Sequence, residues 1–171
     1  HLKFFDKSFV SPIGRAGIDT YNYVLRDTAD VDGTRSFNIV YYPRRKGELT
    51  FKGDFWVADS TYAIKEINMQ ATRSANINWV KDIYLEQEYT VLDDSLFLIT
   101  RDYFQSDFSF SKEEEARGVY GKRTTLFDQY QFDIEKPDGF YRRRVNDYDP
   151  ETYDRSEAYW DENRLEKLNK D

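Results

Sequence analysis

Between residues 20 and 135, polar and apolar positions mostly alternate, which is the period-two pattern of strands that bury one face. Tyr21, Tyr23 and Leu25 share a face of a first predicted strand, and Phe37, Ile39 and Tyr41 share a face of a second that stops at Pro43. The intervening DTADVDGT reads as a loop. Further strands are predicted over 50–58, 62–72, 80–92, 96–106 and 124–134, with connections such as Asp93-Asp94-Ser95 short enough for antiparallel hairpins. SKEEEARG, residues 111–118, interrupts this meander as a solvated charge run. Residues 1–19 start apolar and run into Pro12, Gly14 and Gly17, so they form a lead-in segment followed by a turn. Past Pro137-Asp138-Gly139 the chain turns polar. Asp149-Pro150-Glu151 then has the order of an N-cap, a first-turn proline and a first-turn acid, predicting a helix over 150–168. Its apolar residues, Tyr153, Trp160, Leu165 and Leu168, make only a thin stripe. The expected organisation is a lead-in over 1–19, a curved antiparallel β domain over 20–140 and an acidic helical connector over 141–171.

The stretch LTFKGDFWVADSTYAIKEINMQ, residues 49–70, is informative about curvature. Phe51, Gly53, Phe55 and Val57 share the core face of its first strand. With a turn at Ala58-Asp59-Ser60-Thr61, Tyr62 falls opposite Val57 and Ile64 continues inward. Ile67, Met69 and Ala71 have the opposite parity, so a bulge near Lys65-Glu66 is needed to return them to that face. A bulge bends the sheet, and a bent antiparallel sheet wraps around something. The next strand puts Ile83, Leu85, Gln87, Tyr89 and Val91 inward. Pairing Val91 with Leu96 sets Tyr89 against Leu98 and Gln87 against Thr100, and it leaves Phe97, Ile99 and Tyr103 on the opposite face. Gln87 and Thr100 then either satisfy each other or form the polar handles of an apolar pocket.

Composition narrows the chemistry. Leu, Ile, Val and Phe total 41 of 171 residues, above the roughly 20% below which a chain tends to stay disordered. No run approaches the ~18 apolar residues of a membrane helix, and the N-terminus lacks the order of a signal peptide, so a soluble piece is expected. Cysteine is absent and the single histidine is His1, which removes thiolate chemistry and argues against triads and histidine-ligated zinc. No metal or cofactor is expected. Aromatics make up 18% of the chain, a bias that suits pleated sheet. The net charge of -7 is concentrated after residue 145, and Arg44-Arg45-Lys46 and Arg142-Arg143-Arg144 read as solvated strand ends. Nucleic acid, which needs a basic stripe, is not an expected partner.

Four stretches, SFVSPIGRAGIDTYNYVL, FNIVYYPRRKGELTFKGDFWVADSTYAIKEINMQ, INWVKDIYLEQEYTVLDDSLFLI and SEAYWDENRLEKL, together resemble the middle region of a family of outer-membrane proteins. Its members look like three-part chains: a carboxypeptidase-regulatory-like sandwich, this middle segment, and a membrane barrel similar to TonB-dependent receptors. The hairpin of residues 51–64 is also similar to hairpins of the periplasmic lipoprotein-carrier superfamily, which includes LolA and LolB. The resemblance implies a half-open antiparallel barrel on the periplasmic side of the outer membrane. Three readings follow. The first is a non-catalytic module that binds a lipid or acyl chain on the concave face, lined by Phe51, Phe55, Ile67, Met69, Leu85, Gln87, Tyr89 and Thr100. The second is a structural or interaction module, without a small ligand, that links neighbouring domains of its own parent chain. It predicts a filled interior and an exposed aromatic patch near Trp56, Trp79 or Trp160. The third is an enzyme or sugar binder, disfavoured as an enzyme because Asp93-Asp94 and Glu113-Glu114-Glu115 lie where a carboxylate stays solvated. The oligomeric state is left open by the sequence.

Overall fold

A computed structural model describes all residues except Phe5, 73–79, 93–95, 110–117, 143–149 and 165–171. The predicted charge-run loop at 111–118, the Asp93-Asp94-Ser95 turn and Trp79 lie essentially outside these residues. The chain divides into two units, His1–Asp128 and Gln129–Asp171.

The first unit is mainly β. A small hairpin, β1 (Leu2–Phe4) and β2 (Lys7–Phe9), leads through the four-residue helix α1 (Gly17–Thr20) into seven strands. These are β3 (Tyr21–Val31), β4 (Thr34–Pro43), β5 (Phe51–Ala58), β6 (Ile64–Ala71), β7 (Val80–Leu92), β8 (Leu96–Ser109) and β9 (Gly118–Leu126). They pair in sequence order as an antiparallel meander, a curved sheet that does not close. The mainly β, curved, half-open architecture read from the sequence is therefore what the chain adopts.

Local chemistry explains the register. The stretch DTADVDGT is strand and turn, not loop: β3 and β4 pair from Tyr21↔Pro43 to Val31↔Thr34 around Asp32 (φ 49°) and Gly33 (φ 72°). Consecutive positive φ values at Asp-Gly make the tight hairpin turn whose twist matches its strands. The polar content of residues 27–31 reflects an edge strand and hid the pairing. The bulge expected near Lys65-Glu66 is present. Trp56 pairs with Glu66 and Val57 with Ile64, leaving Lys65 as the extra residue. Tyr62 does not face Val57. It sits in a longer turn with φ 55°, where its N–H donates to Ala58 O.

Three more register shifts skip Arg26 in β3, Lys81 in β7 and Thr100 in β8. Each extra residue adds twist to its strand, and the bend has a direct consequence. Lys65 is buried, and its ammonium donates to the Val31 carbonyl at 2.5 Å, although β4 and β5 lie between β6 and β3. In a flat sheet those strands would stand about 14 Å apart, farther than a lysine reaches.

The inner face carries one hydrophobic cluster built on Phe9, Tyr21, Tyr41, Phe51, Phe55, Ile67, Met69, Ile83 and Leu85. The lead-in hairpin supplies part of it. Phe4 lies edge-on to Phe51 and stacks on Phe104 at 5.9 Å, and Phe9 meets Phe51 at 4.9 Å. β1 and β2 thus form a plug pressed against the inner face of β5 and β8.

In the second unit, the helix predicted over 150–168 is displaced. Pro150–Tyr153 forms a 3₁₀ turn, and α2 spans Glu157–Asn163. Ser156 is the N-cap, its Oγ accepting from the Tyr159 N–H at 3.3 Å. Ser156 followed by Glu157 is a better start signal than Asp149-Pro150, because the hydroxyl satisfies a backbone donor that proline only removes. The predicted strand at 124–134 is also shifted, since pairing ends at Leu126. Tyr130, Phe132 and Ile134 alternate like a strand, but Gln129 (φ 52°) and Asp133 (φ 53°) break the extended backbone.

Candidate functional site

The sheet offers two surfaces, and the expected ligand-binding residues belong to the inner one. Phe51 and Phe55 come from β5, Ile67 and Met69 from β6, Leu85, Gln87 and Tyr89 from β7, and Thr100 from β8. Cross-strand pairing sets Phe55 beside Ile67 and Met69 beside Leu85. These five apolar side chains form one cluster, with Phe51 and Ile67 at 0% exposure and Phe55 the most accessible at 8%. A side chain bordering a hollow wide enough for a ligand keeps water-accessible surface. Phe51 and Ile67 keep none, because the chain's own residues surround them.

The polar members fall out differently. Gln87 does not meet Thr100. It pairs with Asp102, and its Nε2 donates to Asp102 Oδ1 at 2.8 Å. The cause is the bulge: Thr100 is the extra residue between Arg101, which faces Glu88, and Ile99, which faces Tyr89. Thr100 Oγ1 donates to the Glu88 carbonyl instead. The same shift returns Phe97 and Ile99 to the face of Val91 and Tyr89, whereas Tyr103 stays on the outer face beside Tyr84.

Asp102 is the group that the sequence reading missed. It is buried, accepts from Gln87, and receives Arg123 Nη2 from β9 at 3.1 Å. Tyr89 donates to Gln87 Oε1 at 3.0 Å, extending the chain of bonds, and burial, assisted by the Asp102 charge, raises its pKa. A correct register at Thr100 was the signal needed. Arg123 also lies over the Phe104 ring, whose stacking partner is Phe4, so this network anchors the plug's neighbour.

Two tyrosines tie the lead-in to the sheet, and a third ties β4 to β6 within it. Tyr21 donates to Val10 O at 2.6 Å while its oxygen accepts from the Phe51 N–H. Tyr23 donates to Pro12 O, and Tyr41 to Asn68 O, both at 2.6 Å. Burial pushes the Tyr21 pKa up to about 12 and raises that of Tyr41 further. Tyr41 crosses Gly53 to reach Asn68, and a Cβ on Gly53 would stand 2.0 Å from the Asn68 carbonyl oxygen and 2.9 Å from the Tyr41 hydroxyl. Only glycine fits there.

The outer surface is a polar fabric. Arg101 bridges Glu86 and Glu88, Tyr84 donates to Asn68 and Glu86, and Asn68 donates to Glu66. Its one buried orphan is Asn38 Oδ1, which has no partner among the described residues. An open groove of about 500 Å³ crosses β4 to β7 on this side. Among the described residues no three acidic or histidine side chains gather as a metal site, and no helix is long and apolar enough to cross a membrane.

Comparison with known proteins gives one match: residues 1–122 fit a family described as "Family of unknown function (DUF5686)". No curated protein and no solved structure matches the chain.

Proposed function

Because the chain belongs to the DUF5686 family, whose function is unknown, we propose its role from its geometry: a non-catalytic interaction and spacer module of a longer cell-envelope protein. The observation that carries this reading is the plugged inner face. Phe4 and Phe9 occupy the place an acyl chain would take, and the tyrosine bonds to Val10 and Pro12 hold the lead-in that bears them. The placement on the periplasmic side of an outer membrane, between a sandwich and a barrel, rests on the sequence resemblance.

The test is native mass spectrometry of the full chain with a fluorescent twelve-carbon fatty acid as probe. The expected result is unliganded protein and no saturable fluorescence change. A stoichiometric complex would overturn the reading.

One observation favours the acyl carrier as a second reading. The plug forms its own two-stranded sheet, separate from the seven-stranded one, and is held to β5 and β8 by ring packing. Such a lid is exchangeable for a ligand of similar apolar character. Each buried methylene would contribute ~0.8 kcal/mol, so a long chain competes with two phenylalanines. The carrier reading requires Phe4→Ala to bind the probe where the native chain does not, and equal silence from both removes it.

A further inference from the structure

The groove on the outer face has a chemistry that the spacer role does not use. Its floor is the run of outward side chains in two neighbouring rows. Tyr42, Lys52, Gln70 and Tyr84 succeed one another across β4, β5, β6 and β7, and Val40, Asp54 and Asn68 lie beside them. Tyr42 and Tyr84 therefore stand three strand spacings apart, about 14 Å, at the two ends of a row whose middle is polar.

The polar groups are held in place by their neighbours. Asn38, fully buried, donates Nδ2 to Asp54 Oδ2 at 2.8 Å, and the Arg26 guanidinium lies 3.6 Å from the same oxygen. Gln70 gives its Nε2 to Asp82 at 2.9 Å, which fixes the orientation of its amide. Tyr84 commits its hydroxyl to Asn68 and Glu86, and its ring, packed edge-to-face with Tyr103, lines the groove. Lys52 is exposed at the centre.

We propose that this groove binds a linear glycan lying across the strands, its rings stacked on Tyr42 and Tyr84 and its hydroxyls bonded to Lys52, Asp54 and Gln70. Tyrosine faces and fixed amide and carboxylate groups are what a polyhydroxylated, weakly apolar ring requires. Competing ligands fit less well. An extended peptide gains affinity mainly by pairing with a free strand edge, and β5 and β6 are central strands with both edges already paired. A phosphate backbone needs a basic stripe, and here Asp54 sits between Arg26 and Lys52. An acyl chain would have to strip water from Lys52, Asp54 and Gln70, which hold the middle of the groove.

The test is calorimetric titration of the full chain with linear hexamers of β-1,4-linked N-acetylglucosamine and of α-1,4-linked glucose, each compared with its dimer. Saturable binding of one hexamer is expected, with its dimer weaker because it cannot reach both tyrosines. Tyr42→Ala and Lys52→Ala alter exposed side chains and should keep the thermal midpoint while weakening that hexamer by about tenfold. Tyr120→Ala, exposed on β9 away from the groove, should bind as the native chain does. Silence from both hexamers, binding indifferent to Tyr42→Ala and Lys52→Ala, or tighter binding of a mixed-sequence hexapeptide would overturn the proposal.

Discussion

The inner and outer faces of the same strands solve the burial of polar atoms in opposite ways. On the inner face, most tyrosine hydroxyls are committed to backbone groups, Tyr21 to Val10 and Phe51 and Tyr41 to Asn68, whereas Tyr89 donates to the Gln87 side chain. On the outer face, side chains bond mainly to one another and stay partly wet, as with Arg101 between Glu86 and Glu88. A buried hydrogen bond in a dry setting is expensive to break, because the abandoned partner loses its solvation as well. A wet network re-forms around a loss, so the inner face should hold most of the stability and the outer face should be free to vary.

The sharpest way to break this comparison is Phe51→Ala. Phe51 is fully buried against Phe4 and Phe9, and its truncation should cost about 3–5 kcal/mol, read as a fall in the urea midpoint with an unchanged slope. A loss no larger than that of an outer-face variant would mean that the plug does not pack the core.

Alkaline pH tests the tyrosines next. An unfolded tyrosine ionises near 10, whereas folded Tyr21 holds its proton to about 12 and Tyr41 beyond that. Below about pH 10 their contribution is complete. Above it the unfolded chain binds fewer protons than the folded one, so stability falls as pH rises, by about 1.4 kcal/mol per pH unit for each buried tyrosine. Urea midpoints followed upward from pH 9 should decline in this way, and Tyr21→Phe should flatten the slope. A pH-independent midpoint would show that these hydroxyls are not dry.

The smallest effect is expected outside. Arg101→Met removes both ion pairs of a partly exposed guanidinium and should cost about 1 kcal/mol or less, shrinking further at high salt. A cost rivalling that of Phe51→Ala would erase the distinction between the faces.

The sequence foretold the parts governed by alternation alone. Residues 80–92 are a strand to the residue, and the change of parity after Ile64 correctly demanded an extra residue, which is Lys65. What escaped it depended on partners. The polar run at 27–31 becomes strand only because β4 lies beside it, and Asp32-Gly33 was the turn signal inside the apparent loop. Tyr130, Phe132 and Ile134 alternate yet are not themselves strand, because the backbone turns at Gln129 and Asp133. Of the eight expected site residues, the five apolar ones lie in one cluster. Thr100 was misplaced by one bulge, and with it the partner of Gln87, so Asp102 and Arg123 went unseen. The plug was missed because Phe4 and Phe9 flank a short lead-in whose partners lie far along the chain.

That distance has a kinetic side. Phe4 finds Phe104 only after about a hundred intervening residues have been made and six strands, β2 to β7, laid down between them. Until then, Phe4 has only Phe9 and Phe51 as ring partners among the described residues, and the closing contact spans a large loop. Folding of this unit should therefore finish with the seating of the lead-in hairpin. A nascent copy halted before β8 would leave the Phe104-facing side of Phe4 uncovered, and that ring is where a holdase chaperone should act.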